Sequence, residues 1–210
     1  MPTEQKVYSR RRGLKNIYIA PVTVNTELAY TVGTPVKLGS SISAKISDKF
    51  TSEKTYSDDV VEEIVSQYIG SEIELEVNSL APQDRRDLFG NLYNNGFLAK
   101  SSEDVAPVIA IGFCSKKKNN KYEFTWYYCG SFGNGIDESF ETQADKIKTS
   151  TNTLKGDFYA RNIATTIGSE KRHLYALNID EANLIDTNTD AKAAILDWFT
   201  SVQEPTPVVV

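Results

Sequence analysis

The chain has 210 residues, 40% hydrophobic and 24% charged, enough for one sizeable core and short for two. A net charge of -5 and a pI near 5.1 argue against a broad face that grips nucleic-acid phosphates, and no stretch approaches the roughly 20 apolar residues of a membrane span. Two cysteines, Cys114 and Cys129, fit a reducing compartment, and a single histidine, His173, leaves little room for imidazole catalysis or metal binding.

Residues 1–12 are polar and end in Arg10-Arg11-Arg12 with no apolar segment behind them, so they read as an extended arm and no signal peptide is expected. A strand is predicted within 14–24, where Ile17 and Ile19 alternate against Asn16 and Tyr18, and Gly33-Thr34-Pro35 marks a turn. Residues 41–47 alternate cleanly, Ile42, Ala44 and Ile46 against Ser43, Lys45 and Ser47. The polar, Ser/Thr-rich stretch 48–59 reads as a long loop, and 60–65 as a strand leading into the clearest pattern in the chain. There, over 69–77, Ile73, Leu75 and Val77 point one way and Glu72, Glu74 and Glu76 the other, the period of a half-buried strand. Carboxylates spaced about 6.8 Å apart along one face repel one another mildly and gain nothing locally. That face is therefore either an ordinary solvated one or one that borders something negative. Pro82 then opens, and Gly90 closes, a predicted helix of roughly two turns.

Residues 93–97 form a predicted turn, and a hairpin follows, with 108–114 and 122–129 as its arms. A two-residue turn at Asn119-Asn120, where Asn tolerates positive φ, sets Phe113 opposite Trp126 and Ile111 opposite Tyr128. Tyr122 and Phe124 then extend the same face, and Val108, Ala110, Cys114, Thr125 and Tyr127 occupy the other. Cys114 and Cys129 come out roughly 13 Å apart, beyond the reach of a disulfide, so two free buried thiols are expected. Lys116, Lys117, Lys118 and Lys121 make the tip basic: a solubilising end, a phosphate contact, or a contact with an acidic face of a neighbouring copy.

The glycines of Gly130-x-x-Gly133-x-Gly135 precede acidic residues, not a helix N-terminus, so they read as a flexible connection and not a phosphate cradle. One or two strands are expected over 147–160 and another over 173–179. A second helix is expected over 190–199, with Ala193, Ala194, Leu196, Trp198 and Phe199 on its apolar side. Asp186-x-Asn188-x-Asp190 resembles the start of a calcium loop, but Ala191 and Asp197 stand where that loop needs its Gly and Glu, so it reads as a helix cap. No serine-nucleophile motif occurs. The survey yields no catalytic, cofactor-binding or metal-binding residues, and no enzyme is expected.

About eight to ten strands and two short helices predict a mainly β fold, an antiparallel β-sandwich or barrel with the helices outside. Its parts are an arm at 1–12, one β domain at 13–199, and a flexible tail at 200–210.

Several stretches, taken in order, resemble a known family. They are Gly13-Leu14-Lys15-Asn16-Ile17-Tyr18, Thr34-Pro35-Val36-Lys37-Leu38, Tyr56-Ser57-Asp58-Asp59, and Tyr68-Ile69-Gly70 running on to Val77. The Pro82 helix ending in Phe89-Gly90, with Asn95-Gly96 behind it, completes the set. This order, from about 13 to about 160, is similar to the major tail (tail tube) protein of bacteriophages with long, non-contractile tails. The resemblance implies a β-sandwich subunit that closes into hexameric rings. The rings stack into a hollow tube through which double-stranded DNA passes without specific binding. It implies no cofactor and no catalysis. Its implied partners are other copies and further tail proteins (tape measure, terminator, distal tail), and its location is the virion tail, assembled in the host bacterial cytoplasm. On this reading edge strands pair between copies. Arg10, Arg11, Arg12, Lys116, Lys117 and Lys118 are candidate inter-subunit contacts, and Glu72, Glu74 and Glu76 are candidate lumen-facing residues. The alternative is a β-sandwich carbohydrate-binding or adhesion module that uses Tyr122, Trp126 or Tyr127.

Overall fold

The computed structural model describes residues 6–57, 60–139 and 151–205. With 54% strand and 10% helix, the protein is mainly β. Its main sheet contains β1 (Arg11–Asn25), β2 (Tyr30–Val32), β3 (Val36–Lys37), β4 (Ser41–Ser57) and β5 (Val60–Val77). It also contains β8 (Ile109–Lys117), β9 (Tyr122–Ser131), β10 (Ile136–Glu138), β11 (Asn152–Tyr159) and β14 (Ala176–Asp180). Two small hairpins stand apart: β6 (Leu92–Asn94) with β7 (Phe97–Ala99), and β12 (Ala164–Ile167) with β13 (Glu170–His173). The helices are α1 (Pro82–Phe89) and α2 (Thr189–Leu196).

The order across the main sheet is β2-β1-β8-β9-β11-β5-β4, and all its pairings are antiparallel. Strand β9 is the corner. Its first half pairs with β14, from Glu123 to Tyr127, and its last three residues pair with β11. One half of the sheet therefore folds over the other, in the manner of a sandwich. Between the halves lies a core of Ile17, Ile19, Ile73, Leu75, Val77, Ile109, Ile111, Phe113, Leu154 and Phe158, which Leu88 of α1 completes. The opposite face of β1-β8-β9 carries a second core, Ala110, Cys114, Phe124, Trp126 and Tyr128. Ile179, Trp198 and Val202 cover it. Cys114 and Cys129 are free and buried, and burial pushes both thiols up to about 11.

Helix α1 has the predicted ends. The Asp84 carboxylate accepts from the Ala81 N–H at 2.8 Å, and Gly90 closes the last turn at φ 74°. A Cβ there would lie 2.2 Å from the Val105 carbonyl oxygen, so only glycine fits.

Four expectations are corrected. The β8–β9 turn has three residues, not two. The Lys117 N–H donates to the Lys121 carbonyl at 2.8 Å, and Asn120 takes the left-handed conformation at φ 64°. The register moves by one residue, so Phe113 pairs with Thr125 and Gly112 with Trp126. Ile111, Phe113 and Tyr127 therefore face one core, while Phe124, Trp126 and Tyr128 face the other. Second, the described part of 48–59 is strand and not loop, since β4 pairs with β5 as far as Ser57↔Val60. Third, Gly130 lies in β9 and not in a flexible connection. A Cβ at that position would sit 2.2 Å from the Phe158 ring, which packs over it. Fourth, residues 200–205 are not a loose tail: Val202 is buried, and the Gln203 carbonyl accepts from the Tyr128 hydroxyl at 2.9 Å.

Candidate functional site

The alternation of β5 comes from its place between two strands over one core. Ile73, Leu75 and Val77 have no exposure, and the glutamates between them stay at the solvent face. What flanks those glutamates is cationic. Glu74 lies directly between Lys45 of β4 and Lys155 of β11. The Lys49 ammonium is 2.8 Å from the Glu72 carboxylate and holds its pKa below the ordinary value, helped by Lys45 and Lys155. Glu76 accepts from the Ser43 hydroxyl at 3.1 Å and from the Thr151 hydroxyl at 2.9 Å. The expectation that the row gains nothing locally is thus corrected: cross-strand pairs of opposite charge stripe this face.

At the basic end, the candidate contact residues divide. Arg11 grips Glu123 with two nitrogens, at 3.0 and 2.5 Å. Lys117 is nearly buried between Asp180 and Glu123. Those bonds hold the Glu123 carboxyl below its usual range, the Arg11 bond most, against the opposing effect of burial. Burial pushes Asp180 up, but Lys117, the Ala182 N–H and Asn183 together bring it below its usual value. Arg11 and Lys117 therefore hold the protomer together. Arg10, Arg12 and Lys118 are exposed, with Arg12 the extra residue of a bulge between the Arg11 and Gly13 pairs, and Lys116 sits 6.0 Å from the Tyr122 ring. Residues 6–10 do not extend freely. The Val7 N–H donates to Asn183 at 2.7 Å, and the Lys118 N–H donates to the Arg10 carbonyl at 3.0 Å.

Trp126 and Tyr127 are buried, so neither ring offers a surface platform for a sugar, and Tyr122 is half-buried. Asn188 occupies the N-cap position of α2, but its side chain accepts from the Ile185 N–H at 2.9 Å and caps no helical N–H. His173 is exposed in β13. Among the described residues, no three His, Cys, Asp or Glu side chains are grouped to hold a metal ion.

Two features emerged that the sequence pattern did not single out. A groove of about 530 Å³ lies between β4 and the β1-β8-β9 layer, lined by Leu14, Ile42, Ala44, Ile46, Phe113 and Tyr127 among others. Beside it, β4 ends the strand order, so among the described residues its outer edge has no partner strand. The second feature is a two-stranded ribbon. The last pair between β11 and β5 is Phe158↔Ser71, and from there β4 and β5 run on together with no third strand among the described residues. On this ribbon Phe50 is 55% exposed, Ile64 59% and Val65 51%. Ile64 pairs with Lys54 and Val65 with Glu53, which puts the two aliphatic side chains on opposite faces.

Compared with models of protein families, the chain matches none. No curated protein is significantly similar to it either. No helix among the described residues is long and apolar enough to cross a membrane.

Proposed function

We propose that this protein is a structural subunit that assembles with copies of itself into the stacked rings of a phage tail tube, the conduit for genome delivery. The observation that carries this reading is the ribbon. A two-stranded hairpin alone is at best marginally stable in water. This one leaves large apolar side chains exposed on both faces, so a neighbouring chain is what would complete it. The edge of β4, unpaired among the described residues, supports the same reading, because an open edge is a template for another strand. The order of motifs from Gly13 onward supplies the class of assembly.

On this reading Glu72, Glu74 and Glu76, interleaved with Lys45, Lys49 and Lys155, would present passing DNA with a wall of mixed charge. With a screening length of about 8 Å, such a wall neither grips the duplex strongly nor repels it far into the bore. Arg10, Arg12, Lys116 and Lys118 remain the candidates for contacts between copies. Negative-stain microscopy of the purified protein over a range of concentrations tests the proposal. Rings or tubes are expected; single particles of monomer size at every concentration would overturn it.

A further inference from the structure

The ribbon leaves the body of the protein at one point, where three kinds of interaction coincide. The register shifts between the pairs Lys49↔Gly70 and Phe50↔Tyr68, leaving Ile69 as the extra residue of a bulge. Bulges bend a strand and re-aim it. At the same level β11 stops pairing with β5, so among the described residues the backbone ladder holds the ribbon only through β4 and β5 themselves. Side chains then tie the bend to the body. The Ser71 hydroxyl donates to Asp48 Oδ1 at 2.6 Å, and the Tyr127 hydroxyl of β9 donates to the same oxygen at 3.3 Å.

Proton accounting gives this cluster a direction. Ser71 has one proton, and Asp48 takes it. The Tyr68 hydroxyl, 2.8 Å from Ser71 Oγ, must then be the donor of that contact, and it shares its proton with the Phe158 carbonyl at 3.3 Å. Burial pushes the Tyr68 hydroxyl up to about 12, so it keeps that proton at neutral pH. The Tyr68 ring stacks on Tyr175, with centroids 3.9 Å apart and planes 13° apart, and Phe50 packs edge-on against Tyr68 at 5.7 Å. Strands β4, β5 and β9, together with the segment leading into β14, all meet here.

We infer that Asp48 is a positioning residue whose carboxylate gathers Ser71, Tyr68 and Tyr127 and so sets the angle at which the ribbon leaves the body. That this angle serves docking onto another copy rests on the tube reading above; the angle itself does not. The inference is tested by measuring spin-label distances on dilute, dispersed protein. Labels on Ser52→Cys in the ribbon and Ala193→Cys on α2 use exposed positions, while Cys114 and Cys129 are buried. The parent should give one narrow distance distribution. Asp48→Ala should lose that single peak, as should Ser71→Ala, while Asp48→Asn, whose side-chain oxygen still accepts, should restore it. Asp48 is exposed, so its variants keep the core, and tryptophan fluorescence checks that they do. A broad distribution in the parent, an unchanged peak in Asp48→Ala, or an Asp48→Asn variant as broad as Asp48→Ala would each overturn the assignment. A narrow parent that never forms tubes would refute the tube reading and leave this one standing.

Discussion

If the ribbon is completed by another copy, removing its apolar side chains should weaken assembly and leave the protomer intact. Ile64→Thr with Val65→Thr is the sharpest version. Threonine keeps the β-branched shape and the strand preference, so the ribbon itself is little affected. Fully burying a valine or isoleucine side chain contributes about 1.5–3 kcal/mol. Ile64 and Val65 are already roughly half covered within the protomer, at 59% and 51% exposure. Covering the remainder is therefore worth about 1 kcal/mol each, and threonine, whose hydroxyl must be desolvated, forfeits it. The sum of about 2 kcal/mol per copy raises the critical concentration for assembly about 30-fold. Pelleting or light scattering across a dilution series reads that concentration. The thermal midpoint of the dispersed protein should move little, because about half of each side chain is already in water there. Assembly at the parent's concentration would refute the ribbon's role, and a clear drop in the midpoint would show that these residues hold the protomer and not a neighbour.

Two other predictions concern the protomer. Trp198 is 1% exposed, packs 5.5 Å from the Phe124 ring and covers the second core, so Trp198→Ala should cost about 3–5 kcal/mol, read as a lowered urea midpoint. Acid should also destabilise the protein in a defined window. Arg11 lowers Glu123, and Arg85 lowers Glu138. With folded values below the unfolded value of 4.5, these groups bind protons more readily when unfolded, so their contribution is present above that pH and lost as pH falls through the folded values. Urea midpoints followed from neutral into acid should fall below that point, and Glu123→Gln should shrink the fall; a flat profile would contradict the assigned pairs.

The parts of the fold that could be read from the amino-acid order are those where one face is wet and the other dry. β5 announces itself over 71–77 because its two faces meet different surroundings. In the β8–β9 hairpin both faces are buried, so alternation cannot choose between registers one residue apart, and only the loop decides. That loop rests on one residue, Asn120, adopting positive φ. Nothing in Asn119-Asn120 separates a two-residue turn from a three-residue one. The small β12–β13 hairpin fails for the opposite reason: β13 is exposed along its whole length, so it has no period to detect, and Gly168 at φ 61° was the remaining signal.

The same reasoning explains why the candidate site was the least legible part. The β4 arm of the ribbon, exposed from Lys49 to Thr55, shows mixed polar letters, which in a single chain are the letters of a loop. Its strand character lies in pairing with a partner segment, not in its own periodicity. The glutamate row misleads by a related route. Lys45 pairs with Glu74 from 29 residues before it and Lys155 from 81 residues after it, so the charges that neutralise the row are neighbours only after the sheet has formed. Composition over 71–77 of β5 shows three carboxylates, whereas the surface that a passing polyanion or another copy would meet is set by three strands together. Surface electrostatics of a sheet therefore belongs to its strand order, and a contact assigned to one strand's charges alone, as for Arg11 and Lys117, can turn out to be spent inside the protomer.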